Sequence, residues 1–176
     1  LLSRMPKDKN YMVSPYSLKM ALAMAASGAD GETKQEMLAV LGIADLDAFH
    51  DSTKAFIEDS NKNQLVSFHI ANSIWHNSDY AKDSTLDYSS AYKTMITQYF
   101  GGIASKINNR TGAKTINDWI SKQTNGTIKN VLTDDAVRNN LSFLVNTIYF
   151  KGDWAYPFTA EDTWDDIFTD RNGTEK

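Results

Sequence analysis

The stretch LSFLVNTIYF at Leu141–Phe150 constrains the fold of this chain more than any other, because it is apolar on both sides of a pleat. In an extended strand Leu141, Phe143, Val145 and Tyr149 point one way and Leu144, Ile148 and Phe150 the other, so neither side faces water cheaply. That pattern predicts a strand in mid-sheet, buried on both faces. Asn146 interrupts it by placing a carboxamide on the face of Leu144, Ile148 and Phe150, and a buried amide without partners costs about 1–3 kcal/mol. Something polar is expected to meet it. Gly152 then supplies a turn, and Trp154 a large ring whose indole N–H needs a partner wherever it is buried.

Around this strand the chain alternates helical and strand-like periods. Ser14-Pro15 is a helix start, with a hydroxyl to cap free N–H groups and a proline where no hydrogen bond is lost. The helix is expected to run to about Ser27 and stop at Gly28. Leu18, Met20, Ala21, Leu22, Met24 and Ala25 cover nearly its whole circumference, which predicts an interior helix. Ser17, one turn from the cap, has two readings: a bond to its own helix backbone or a tertiary role. Thr33 and Glu36 have capping-box spacing before a short helix ended by Gly42, and a third helix over Leu46–Asp59 offers Leu46, Phe49, Phe56 and Ile57 as its buried stripe. Leu65–His76 returns to a period of two, with Val66, Phe68, Ile70 and Ile74 opposite Trp75. A helix over Tyr88–Phe100, a short strand over Ile103–Ile107 and a helix from Thr111 carrying Ile116, Trp119 and Ile120 complete a mixed α+β pattern. Trp164–Thr169 reads as strand, followed by a type I′ turn at Arg171-Asn172-Gly173-Thr174 with no return strand, so the expectation is one piece of a longer polypeptide. The start at Leu1, without an initiator Met, fits a processed or trimmed product.

Composition narrows function by exclusion. A net charge of −4 over 176 residues, without a basic cluster, argues against nucleic acid or an anionic membrane as the main partner. Asp45, Asp47, Asp51, Glu58 and Asp59 face Lys54 alone, so no glycosaminoglycan is expected either. With no cysteine there is no disulfide, thiolate nucleophile or Cys-ligated zinc, and no apolar run approaches membrane-spanning length. His50, His69 and His76 lack the spacing of a helical metal pair, with His69 and His76 on opposite strand faces. No Gly-x-Ser-x-Gly elbow or phosphate-cradling glycine loop occurs. Glu161, Asp162, Asp165 and Asp166 beside Trp164 read as a solvated acidic loop rather than a glycosidase pair. Sequons at Asn109, Asn125, Asn140 and Asn172 permit glycosylation without implying it. No enzyme activity, cofactor or metal is expected.

Four segments together resemble the serpin family: NYMVSPYSLKMALAMAASGADGETKQEML at Asn10–Leu38, FHIANSIW at Phe68–Trp75, INDWISKQTNGTIKNVL at Ile116–Leu132 and FLVNTIYFKGDWAYPF at Phe143–Phe158. They span nearly the whole chain in family order. The resemblance implies that residues 1–176 are the N-terminal portion of one serpin domain, with helices B to F, strands 1 to 3 of sheet A and the start of sheet C. Helices would pack around a large mixed sheet. In that frame the Ser14 helix is helix B, Leu65–His76 is strand 2, the Trp119 helix is helix F and the Leu141 strand is strand 3.

The resemblance also implies a suicide-substrate inhibitor of serine proteases, with cysteine proteases as a second target class. A cleaved reactive-centre loop, absent from this chain, would insert into sheet A beside strand 3 while the protease is held as an acyl-enzyme. Ser14, Ser17 and Asn146 match the family's shutter, a polar cluster beneath sheet A, and Trp154 matches its breach. The plainer alternative is that these four are satisfied core groups. The implied partners are the protease and the C-terminal remainder of the same protein, supplied in the same polypeptide or as a second chain, and the implied location is extracellular. A non-inhibitory serpin acting as carrier, chaperone or structural binding protein is the alternative function.

Overall fold

The computed structural model describes residues 5, 10–62, 66–83, 85–170 and 172–175. Its helices are α1 (Pro15–Gly28), α2 (Gly31–Leu41), α3 (Leu46–Ser60), α4 (Ser78–Ala81), α5 (Ser90–Phe100), α6 (Gly112–Gln123) and α7 (Asp134–Arg138), and its strands β1 (Val66–Asn77), β2 (Ile103–Ile107) and β3 (Ser142–Gly152). The three strands form one mixed sheet in the order β2-β1-β3, with β1 parallel to β2 and antiparallel to β3. Leu65 and Arg171, at the edges of two sequence expectations, lie outside the described residues.

Pleat alternation sorts the side chains of the sheet onto two helical layers. On one face Ile74 joins Met20, Ala23 and Met24 of α1, Ile43, and Ile96 and Phe100 of α5 in a single apolar cluster. On the other, Trp75 and Ile107 meet Ala113, Ile116 and Ile120 of α6 and Val137 of α7, with Phe143 and Val145 of β3 packed alongside. The helices therefore sandwich the sheet, as helical layers must when each strand is apolar on both sides. Gly112 lets α6 close on this layer, since a Cβ there would lie 2.9 Å from a methyl of Val137 and 3.1 Å from one of Ile107.

The lower end of the sheet is tied by a buried amide. Asn77 Nδ2 donates to the Val137 carbonyl at 2.7 Å and to Asn109 Oδ1 at 2.9 Å, while its Oδ1 accepts from the Asp79 amide at 3.2 Å. One side chain thus caps α4 and pins both α7 and the β2–α6 loop to the end of β1.

Several expectations need correction. Among the described residues β3 does not lie mid-sheet: it forms an edge, and Phe150 on it is 65% exposed. Helix α1 is not interior all round, because Met20, Ala23, Met24 and Ala26 are buried whereas Leu18 and Leu22 are exposed. Helix α2 starts at Gly31 after Asp30, which puts Thr33 and Glu36 inside the helix, where no capping box can form; Gly42 does end it, in the left-handed region at φ 63°. In α3 the buried residues are His50, Thr53 and Ile57, while Phe56 lies exposed against Tyr16, their ring centroids 5.3 Å apart. Trp164–Thr169 is not a strand beyond one antiparallel bridge, Thr169 to Glu175. At the expected turn, of which Arg171 lies outside the described residues, Gly173 has positive φ, 78°, and its amide donates to the Asp170 carbonyl at 2.9 Å.

Candidate functional site

Strand β3 makes one edge of the sheet, and on it Asn146 stands directly opposite Asn72 of β1. Both asparagines interrupt otherwise apolar faces, Asn72 between Ile70 and Ile74, Asn146 between Leu144 and Ile148. Asn146 Nδ2 donates to Asn72 Oδ1 at 2.8 Å, and Asn72 Nδ2 donates to the Phe100 carbonyl at the end of α5, also at 2.8 Å. Asn72 is 0% exposed. Asn146 Oδ1 is buried and meets no donor among the described residues. The amide that the sequence singles out thus has a partner, but the partner is a second amide that the sequence reading missed. The signal was available: each strand carries one asparagine on its apolar face, and neighbouring strands bring such positions together.

Gly102 backs this pair. A Cβ at Gly102 would lie 2.8 Å from the Asn72 carbonyl oxygen and 3.1 Å from Asn72 Cβ, so the residue after the α5 cap has to be glycine for α5 and β1 to approach this closely.

Ser14 and Ser17 form a second polar group. Ser14 caps α1 by accepting from the Ser17 amide at 3.2 Å, and the Ser17 hydroxyl donates to Ser14 Oγ at 2.9 Å. Helix α1 packs on β3, the strand that carries Asn146. No hydrogen bond joins either serine to Asn146 among the described residues. Trp154 follows β3 and is 73% exposed, its ring edge-on to Phe158 with centroids 6.0 Å apart, so its indole N–H makes no demand on the core.

Of the histidines, His50 and His69 tie neighbouring elements together. His50 is buried, stacked on Tyr99 at 4.9 Å between centroids, with Nε2 2.8 Å from Ser27 Oγ. Ser27 donates its one proton to the Ala23 carbonyl at 2.8 Å, so His50 Nε2 carries a hydrogen and donates to the hydroxyl. Burial holds this imidazole below its ordinary pKa, opposed by the nearby Asp47 and Asp51 carboxylates and reinforced by Lys34. His69 Nδ1 donates to the Gln123 carbonyl at 3.3 Å from the opposite face of the sheet. Glu161, Asp162, Asp165 and Asp166 stand on an exposed loop. Among the described residues no cluster of three metal-ligating side chains occurs.

The family model for serpin (serine protease inhibitor) matches residues 1–176. The chain belongs to the serpin family. Serpin-Z2A of Oryza sativa subsp. japonica is 35% identical over 165 residues, covering 89% of this chain and 38% of its own. The leukocyte elastase inhibitor of Xenopus tropicalis is 33% identical over 159 residues, covering 89% of this chain and 42% of its own. Among solved structures, ovalbumin from emu (Dromaius novaehollandiae) superposes with a TM-score of 0.80 at 26% identity, over 97% of this chain and 48% of that one. This serpin chain therefore spans less than half the length of these relatives, and its fold is α+β, helices around a mixed sheet, seen here in part.

Proposed function

We propose that this chain is the N-terminal portion of a serpin domain that acts, when complete, as a suicide-substrate inhibitor of serine proteases. The observation that carries the reading is the outer edge of β3, an 11-residue strand with no strand beyond it among the described residues and with a buried, unpaired amide oxygen at its middle. An edge of that length either invites uncontrolled pairing or is built to receive a strand. In this reading β2, β1 and β3 are strands 1, 2 and 3 of sheet A, α1 is helix B, α6 is helix F, and the Thr169–Glu175 bridge begins sheet C. The protease serine attacks a reactive-centre loop in the C-terminal remainder and forms an ester with the new carboxyl end. The loop's freed segment then enters beside β3, with each backbone hydrogen bond formed contributing about 0.5–1.5 kcal/mol. Insertion outruns hydrolysis of the ester, and the protease is held as an acyl-enzyme.

Ser14, Ser17 and Asn146 take the shutter role here, and Trp154 the breach. Polar bonds can be exchanged one for another as neighbouring elements shift, whereas continuous apolar packing resists parting. The frog relative, named as an inhibitor of leukocyte elastase, supports a serine protease as target class, with cysteine proteases second. The C-terminal remainder is the other partner, and secretion is the expected location.

The test is to incubate the complete protein with a panel of serine proteases and one cysteine protease. Inhibition predicts an SDS-resistant adduct at the summed mass of protease and cleaved inhibitor. Cleavage of the loop with full protease activity remaining would reject it in favour of a carrier, chaperone or structural binding role. Recovery of the protein from cells only, with none in the medium, would reject secretion.

A further inference from the structure

We propose that Asn72 is a positioning residue for the candidate shutter: it orients Asn146 so that its carboxamide oxygen is turned away from Asn72 as a buried acceptor for whatever meets the middle of β3. The proposal rests on the inhibitory reading above and adds to it a residue and a polarity. The Phe100 carbonyl can only accept, so the group that Asn72 presents to it at 2.8 Å has to be its NH2. That orientation turns Asn72 Oδ1 towards β3. An oxygen calls for a donor, so Asn146 faces it with Nδ2, at 2.8 Å, and its own Oδ1 is left buried without one. Direction therefore passes along a one-way relay, from the end of α5 through β1 to β3.

The relay is held from both sides. Asn72 and Asn146 are direct register partners, and the Gly102 backbone closes on Asn72 too tightly for any side chain to intervene. Asn72 has no exposed surface through which water could substitute for either bond. Neither amide can flip alone, because a flip of one sets like atoms of the pair facing each other. The group that meets this oxygen on β3 is accordingly a donor, an N–H or O–H. Such a bond holds β3 closed until a competing donor or an inserting strand displaces it.

The test uses the complete protein with Asn72→Ala, Asn72→Leu, Asn146→Ala and the Asn72→Ala/Asn146→Ala double variant, with two readouts. In the wild type the Asn146 side-chain NH2 should exchange slowly with solvent, and either Asn72 substitution should speed that exchange by about tenfold or more. Each Asn72 substitution should also raise the stoichiometry of inhibition several-fold while leaving the association rate with the protease unchanged. In the Asn146→Ala background the Asn72→Ala effect on stoichiometry should largely vanish, because the two residues act as one unit. Additive effects would show that Asn72 only supports the core, and fast exchange of the Asn146 NH2 in the wild type would overturn the relay without any variant. A complete protein that inhibits no protease would reject the inhibitory reading, while the exchange measurement would still decide the orientation of the pair.

Discussion

His50 is buried on the face of α3 that also carries Thr53 and Ile57, and it makes that helical layer sensitive to acid. Burial lowers the folded imidazole's pKa, while in the unfolded chain it titrates at its ordinary 6.5. As pH falls below that value the unfolded state takes up a proton first, so the contribution of His50 to stability is present above pH 6.5 and is lost as pH falls towards the lower folded pKa. Thermal melts of the complete protein between neutral pH and pH 5 should show a falling midpoint, and the fall should be smaller in His50→Phe, which cannot titrate. An equal slope in both proteins would contradict the assignment. Gly102→Ala is predicted to cost about 1–3 kcal/mol, because its Cβ would press on the backbone of β1 at Asn72; urea unfolding measures it. The polar residues show where single-residue reading succeeds. Asn146 was legible because an amide in an apolar strand is conspicuous. Asn72 was not recognised, although it breaks its strand in the same way, because its importance comes from register, which pairs it with Asn146 across 74 residues of sequence.

Helices and strands were legible where periodicity is strong. β1, β2, α5 and α6 lie within a few residues of the predicted ranges, since their apolar residues repeat at two or three-to-four positions. The start of α2 was misread because Asp30 competes with Thr33 for the cap position, and neither α4 nor α7 is long enough to show a period. The two faces of the sheet make different demands. Ile116, 0% exposed in α6, is predicted to cost about 2–5 kcal/mol when changed to alanine, since it joins the helix to Trp75 and Val137. The variant should also expose Trp75 and Trp119, whose rings now meet edge to face at 6.2 Å, and so shift tryptophan emission to the red. Unchanged stability and emission would mean that α6 is not anchored through this contact.

At the scale of the whole molecule, the chain matches proteins more than twice its length, and it leaves several large apolar side chains in the open. Phe150 on the edge strand, Leu18 and Leu22 on α1, and Tyr156 and Phe158 beyond β3 are all exposed large apolar residues. On this account residues 1–176 alone neither inhibit a protease nor fold stably, and co-expression with the C-terminal remainder restores both; a cooperative, stable melt of the isolated chain would count against it. The sequence reading placed the Leu141 strand in mid-sheet because its alternation reports two buried faces. One face does meet a helical layer, through Phe143 and Val145, but Leu144 and Phe150 on the other are exposed and the strand ends the sheet among the described residues, since apolar spacing carries no information about what lies beyond an edge. The most direct measurement is therefore hydrogen exchange along Ser142–Gly152 in the complete protein before and after cleavage by its protease. Insertion of a strand beside β3 predicts that the outward-facing amides of this segment become strongly protected once the loop is cut and that the cleaved protein melts at a higher temperature. The same exchange rates before and after cleavage, with no gain in melting temperature, would contradict it.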